Sequence, residues 1–145
     1  NGAVADIPSV IKLTKEKIRL HGFEDRCQAV ECDFFKNIPS NSDLYILSNI
    51  LHDWTDEKCK IILQNLYNAM SVESKLLVVE MIIPQGNEPA IAKLLDLEMM
   101  VTTGGSERTE SEFVDLFSSS GFKISKILRN NNEVCLIEVI KASEN

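Results

Sequence analysis

At 145 residues, 44% hydrophobic and with a formal net charge of −7, the chain has the length of one domain or part of one and enough apolar content for a core. The acidic balance, with no basic stripe, excludes a nucleic-acid backbone as the main partner, because phosphate binding needs clustered Lys and Arg. No apolar run is long enough to span a membrane, and no signal peptide is evident, so the expectation is a cytoplasmic protein without membrane attachment.

The chain alternates strand and helix signals. Ala3-Val4-Ala5-Asp6 reads as the end of a strand, followed by Pro8 near a helix start. Ser9 to His21 is predicted helical, with Val10, Ile11, Ile18 and Leu20 apolar and Gly22 as a C-terminal cap. Gln28 to Cys32 is a short strand ending at Asp33, and Leu44 to Ile50 is the next. Asp56 to Met70 is an amphipathic helix, with Ile61, Ile62, Leu66 and Met70 at helical spacing. Lys75 to Ile83 is the most apolar segment and reads as a central strand buried on both faces. Ala90 to Val101 is helical, with Leu94, Leu95, Leu97 and Met99 expected inside. Thr109-Glu110-Ser111-Glu112 fits a capping box, so a helix should run from about Glu110 to Ser119 and close at Gly121. Phe122 to Arg129 and Glu133 to Lys141 read as two strands of a hairpin around Asn130-Asn131-Asn132. This alternation describes a mostly parallel sheet with one reversed edge.

The chemical lead is His52, one of two histidines. It follows a buried strand and precedes a helix start, where open α/β sheets place their ligands. Its side chain suits proton transfer near neutral pH. Glu80 interrupts an apolar strand, where an unpaired charge is expensive. Glu107 is weaker alone, because Glu107-Arg108 reads equally as a solvated pair before a helix. The cysteines Cys27, Cys32, Cys59 and Cys135 form no Cys-x-x-Cys pair, and neither histidine stands at zinc-ligand spacing from them. Isolated thiols in a reducing compartment, with no metal site, are therefore expected.

Five segments in order carry a resemblance: Asp6-Ile7-Pro8-Ser9-Val10, Cys32-Asp33-Phe34-Phe35, Leu51-His52-Asp53-Trp54, Val79-Glu80 and Gly104-Gly105-Ser106-Glu107-Arg108-Thr109. With Gly121-Phe122 after the last helix, the chain resembles the C-terminal catalytic region of S-adenosylmethionine-dependent O-methyltransferases of the plant caffeic acid and acetylserotonin type. The resemblance implies an α/β fold with a Rossmann-like methyltransferase sheet, mostly parallel and ending in an antiparallel hairpin. It implies methyl transfer from S-adenosylmethionine to a hydroxyl of a small, aromatic metabolite. His52 is then the general base, flanked by Glu80 and Glu107. Asp6 is expected on the ribose hydroxyls, and Asp33 and Phe34 on the adenine. Ser48 stands where many plant members carry a lysine that contacts the cofactor. Asp96, Met99 and Met100 belong to the substrate wall, whereas Trp54 is a packing anchor and Asp53 an orienter of its loop.

The resemblance also implies an absent strand and glycine-rich loop, since no Gly-x-Gly occurs in the sequence. Leaving that strand out creates two unpaired edges, beside the strands ending at Asp6 and near Ile50. The expectation is thus a C-terminal part of one catalytic domain, 1–145, whose full-length parent forms a homodimer. A noncatalytic or diverged methyltransferase-like interaction module is the alternative.

Overall fold

The fold was analysed in a computed structural model, which describes residues 1–129 and 134–143. The expected turn at Asn130-Asn131-Asn132, and Glu133, lie outside the described residues. In chain order the elements are β1 (Gly2–Asp6), α1 (Pro8–Leu20), β2 (Cys27–Glu31), β3 (Leu44–Ser48), a 3-10 turn (Leu51–Asp53), α2 (Asp56–Ala69), β4 (Lys75–Ile83), α3 (Ile91–Thr102), β5 (Arg108–Thr109), α4 (Glu110–Ser118), β6 (Phe122–Arg129) and β7 (Val134–Lys141).

The strands form two sheets. One is the parallel pair β1-β2; the other runs β3-β4-β7-β6, with β5 paired to the end of β4. β3 and β5 are parallel to β4, whereas β7 is antiparallel to both β4 and β6. The expected hairpin is present, but its reversed strand is internal rather than at the edge. The alternating apolar residues of β7 explain that place. Cys135, Ile137 and Val139 are buried against the core, whereas β6 carries exposed Lys123 and Lys126 and suits an edge.

The core lies between the larger sheet and helices α2 and α4. It is built from Ile62, Leu63 and Leu66 of α2, Leu76 and Val78 of β4, and Phe113 and Phe117 of α4. α4 begins as the sequence predicts: Thr109 Oγ1 accepts the Glu112 N–H, and the Glu112 carboxylate accepts the Thr109 N–H at 2.7 Å. In α1 only Ile11 and Ile18 turn inward; Leu20 is exposed, and Ile61 of α2 is half exposed. α3 departs furthest from expectation. Ala92 is its buried residue, while Leu94 and Leu97 are 69% and 56% exposed. Helical periodicity identifies an apolar face without saying that anything covers it.

Between the free edges of β1 and β3 runs a cleft of about 720 Å³, lined by Gly2, Ala3 and Ala5 on one side and Leu44, Ile46 and Leu47 on the other. Leu44 and Ile46 are 50% and 58% exposed. Among the described residues no continuous sheet joins the two pieces.

Candidate active site

β3 ends at Ser48, and Asn49 adopts a left-handed backbone with φ 53. Asparagine tolerates that region better than most residues, so the chain can leave the sheet sharply here. The next residues form the tight turn Leu51–Asp53, which presents His52 at the C-terminal mouth of the parallel strands.

Glu80 lies in β4 and is fully buried. Its Oε1 accepts the backbone N–H groups of Ile50 and Leu51, at 3.0 and 2.8 Å. Its Oε2 lies 2.9 Å from His52 Nδ1. One carboxylate thus holds both the backbone entry to the turn and the imidazole carried on it. Glu107 approaches the same nitrogen, with Oε1 at 3.4 Å. The Oε2 atoms of Glu80 and Glu107 are both buried and, among the described residues, neither meets a hydrogen-bond donor in good geometry, so the imidazole contacts the two carboxylates as an ion pair. The other ring nitrogen, Nε2, stands 3.7 Å from Asp53 Oδ1, beyond hydrogen-bonding range, and stays open. Two carboxylates against Nδ1 favour a proton on that nitrogen, the tautomer that leaves Nε2 with a free lone pair.

The electrostatics follow from this packing. The close contact with the Glu80 carboxylate raises the His52 pKa above its ordinary value, with the charges of Glu107 and Asp53 adding to the effect against partial burial. Burial raises the Glu107 pKa; Glu80 and Asp96 add to that rise, while His52 and Arg108 oppose it. His52, Glu80 and Glu107 each bring a donor atom within 4.8 Å of the others, so in chemical terms they are also the residues that could hold a cation.

The remaining predicted residues divide into two groups. Asp6, Asp33 and Ser48 stand at or just beyond the C-terminal ends of β1, β2 and β3. Asp6 Oδ1 accepts the Ile7 N–H at 2.7 Å. Asp33 Oδ1 accepts the Phe35 N–H at 3.1 Å, and Oδ2 pairs with Lys36 at 3.0 Å. The Lys36 hydrogen bond holds the Asp33 carboxyl below the usual range. Each aspartate keeps unused lone pairs, since a carboxylate accepts about four hydrogen bonds. Phe34 packs edge-on against Phe35 and Trp54, with centroids 4.9 and 6.3 Å away. This donor set fits a nucleoside with a vicinal diol and an amino-substituted ring. Trp54 is indeed a packing anchor, joining the Asp33-Phe34 loop to the His52 turn.

Asp96 and Met99 of α3 are partly buried, and Met100 is 59% exposed. Asp96 also does something the sequence did not disclose: its Oδ1 accepts the Glu107 N–H at 3.0 Å and so fixes the loop behind the second carboxylate. Sequence reasoning missed Arg108 as well. Glu107-Arg108 is no solvated pair; both residues are buried, at 5% and 2% exposure. The available signal was an arginine directly after a site carboxylate and directly before a capping box.

The O-methyltransferase domain family model matches residues 1–123. The chain belongs to the O-methyltransferase domain family. Phenazine O-methyltransferase of Lysobacter antibioticus is 41% identical over 137 residues, 94% of this chain and 40% of that protein. Human N-acetylserotonin methyltransferase, solved in complex with S-adenosylmethionine, superposes with a TM-score of 0.87 at 33% identity, over 97% of this chain and 40% of that one. An O-methyltransferase of neocarzinostatin biosynthesis, solved with S-adenosylmethionine and 2-hydroxy-5-methyl naphthoic acid, gives a TM-score of 0.88 at 26% identity, over 98% of this chain and 42% of that one. The chain therefore spans about two fifths of the length of these relatives. The O-methyltransferase family uses S-adenosylmethionine, and the α/β architecture described above is the fold of these solved relatives. Among the described residues no helix is long and apolar enough to cross a membrane.

Proposed function

We propose that this chain supplies the catalytic region of an enzyme that moves a methyl group from S-adenosylmethionine to a hydroxyl of a small aromatic acceptor, with His52 as general base. One observation carries the reading: Nδ1 of His52 lies 2.9 Å from a buried carboxylate, while Nε2 is beyond hydrogen-bonding range of its nearest carboxylate. A bound S-adenosylmethionine supplies the electrophilic methyl on its sulfonium. Asp6 would accept from the ribose hydroxyls, Asp33 from the adenine amine, and Phe34 would cover the ring; Ser48 would add a hydroxyl contact. His52 Nε2 would take the acceptor's proton as the acceptor oxygen bonds to the sulfonium methyl, whose bond to sulfur breaks with its electron pair passing to the departing S-adenosylhomocysteine. The imidazolium so formed faces Glu80 and Glu107, which stabilise it. Met99 and Met100 would line the acceptor, because thioethers adapt to flat rings, with Asp96 beside them.

The same reading makes residues 1–145 the C-terminal part of one catalytic domain, and the facing free edges of β1 and β3 support it. A homodimeric whole protein belongs to it too, supported by the exposed apolar residues Ile91, Leu94, Leu97 and Val101 on α3. The four cysteines, none in a Cys-x-x-Cys pair, support a cytoplasmic location.

The decisive experiment measures methyl transfer from labelled S-adenosylmethionine to acetylserotonin and to 1,4-dihydroxy-2-naphthoic acid, alongside calorimetric binding of S-adenosylhomocysteine. His52→Ala should lower turnover on whichever phenol is accepted by about 10²-fold or more and leave binding intact. Undiminished turnover in that variant overturns the base. Absence of cofactor binding by the whole protein favours the interaction module.

A further inference from the structure

Arg108 follows Glu107, and its side chain is 3% exposed. Its guanidinium is spent on three backbone oxygens and the Asp56 carboxylate. Nη1 donates to the Leu51 carbonyl at 2.9 Å and the Ser106 carbonyl at 3.2 Å. Nη2 donates to the Trp54 carbonyl at 2.9 Å. Nε and Nη2 share Asp56 Oδ1, at 3.0 and 2.8 Å. The carbonyls of Leu51 and Trp54 bracket His52 and Asp53, so the fork grips the turn on both sides of the imidazole. A planar group with five donors can serve this set at once; an ammonium with three cannot reproduce the geometry.

Gly105 gives an independent sign of the same contact. A Cβ there would lie 2.0 Å from the His52 carbonyl oxygen, 2.6 Å from the Asp53 carbonyl carbon and 2.7 Å from the Trp54 nitrogen. The backbone of the Glu107 loop thus rests directly on the turn, a closeness that only glycine permits.

We propose that Arg108 is the positioning residue of this site: seated beside Gly105, it locks the Leu51–Trp54 turn to the loop carrying Glu107, so that the imidazole and both its carboxylates keep one geometry. The catalytic consequence rests on the reading of His52 as base; the lock itself does not. Breaking it frees the turn, and the imidazole loses its fixed approach to Glu80.

The imidazole is the reporter. It faces Glu80 from β4, Glu107 from the loop before β5 and Asp53 from its own turn, with Asp96 of α3 and Arg108 acting on Glu107. Arg108→Lys keeps the charge, and Gly105→Ala changes none, so neither variant alters the field by losing an ion. The whole protein, labelled at histidine carbons, is titrated by NMR, and the signal lost in His52→Gln is the one followed. In both variants the His52 midpoint should fall from its raised value toward about 6.5, the ordinary histidine value. An unchanged midpoint in either folded variant overturns the lock. Should neither variant fold, the wild-type protein decides. Arg108 Nη protons with separate, slowly rotating signals support the proposal; a freely rotating guanidinium overturns it. His52→Ala with undiminished methyl transfer would remove the base reading while leaving the titration to judge the lock.

Discussion

His52 and Asp33 both follow a parallel strand, yet they are held in opposite ways. His52 rests on a fully buried carboxylate that also ties two backbone N–H groups, and on a turn gripped by a buried arginine. Asp33 is held by an exposed lysine and one backbone N–H, on a two-stranded sheet with a free edge. The imidazole therefore sits in a preformed environment of low polarisability, where electrostatics are strong. The Asp33 carboxylate sits near water, where each hydrogen bond contributes little to stability. The difference teaches that two strand ends of one fold can be held rigidly, where packing sets proton affinity, or loosely, where the carboxylate keeps lone pairs to offer.

The largest test of that contrast is His52→Ala, expected to lower turnover about 10²- to 10⁴-fold, the usual contribution of a general base, with cofactor affinity unchanged by calorimetry. Next, Phe117→Ala removes a fully buried ring and should cost about 3–5 kcal/mol in denaturant unfolding. Glu80→Ala strands the Ile50 and Leu51 N–H groups and should cost about 2–3 kcal/mol. Glu80→Gln is the sharper variant, since an amide oxygen can still accept those bonds but cannot match the imidazolium charge. A base must be neutral to act, so the wild-type rate should rise with pH through a midpoint above about 6.5. Glu80→Gln should move that limb down. The stability sign agrees: a histidine whose folded pKa is raised stabilises the fold fully below about 6.5 and loses that contribution as pH climbs through the raised value. Glu80→Gln should flatten this fall. Asp33→Ala should weaken S-adenosylhomocysteine binding by about tenfold, the worth of about one hydrogen bond, and leave unfolding unaltered. Smallest of all, Val4→Ala in β1, where Val4 is 41% exposed, should stay within about 0.5 kcal/mol.

Much of the rigidly held strand end was legible. His52 stood out because a titratable ring falls between a buried strand and a helix start. Glu80 stood out because a charge in an apolar strand needs a partner, and the Thr109 capping box is local chemistry written in four residues. What escaped depends on distant packing. Arg108 looks like any surface arginine until the Leu51 and Trp54 carbonyls arrive from some fifty positions earlier in the chain. β5 spans two residues and exists only because β4 offers its end. Leu94 and Leu97 have the spacing of a core face, but spacing carries no information about what lies opposite. Asp6 and Asp33, read bare, are turn aspartates; their bonds to Ile7, Phe35 and Lys36 are those of turn aspartates, and only the resemblance suggested more.

The place of β7 has a further consequence. It is sandwiched between β4 and β6, yet it lies C-terminal to both in the chain. During synthesis the ribosome therefore delivers an inner strand after both of its neighbours. Until it emerges, β4 shows a bare hydrogen-bonding edge beside the residues that become the core. Such an edge is a template for pairing with other nascent chains. Lys141 then fastens the late strand, donating to the Met70 carbonyl at 2.8 Å while its ammonium lies over the Tyr67 ring. Glu80 pairs with Cys135 of β7, so the strand carrying that carboxylate gains its second neighbour only with this insertion.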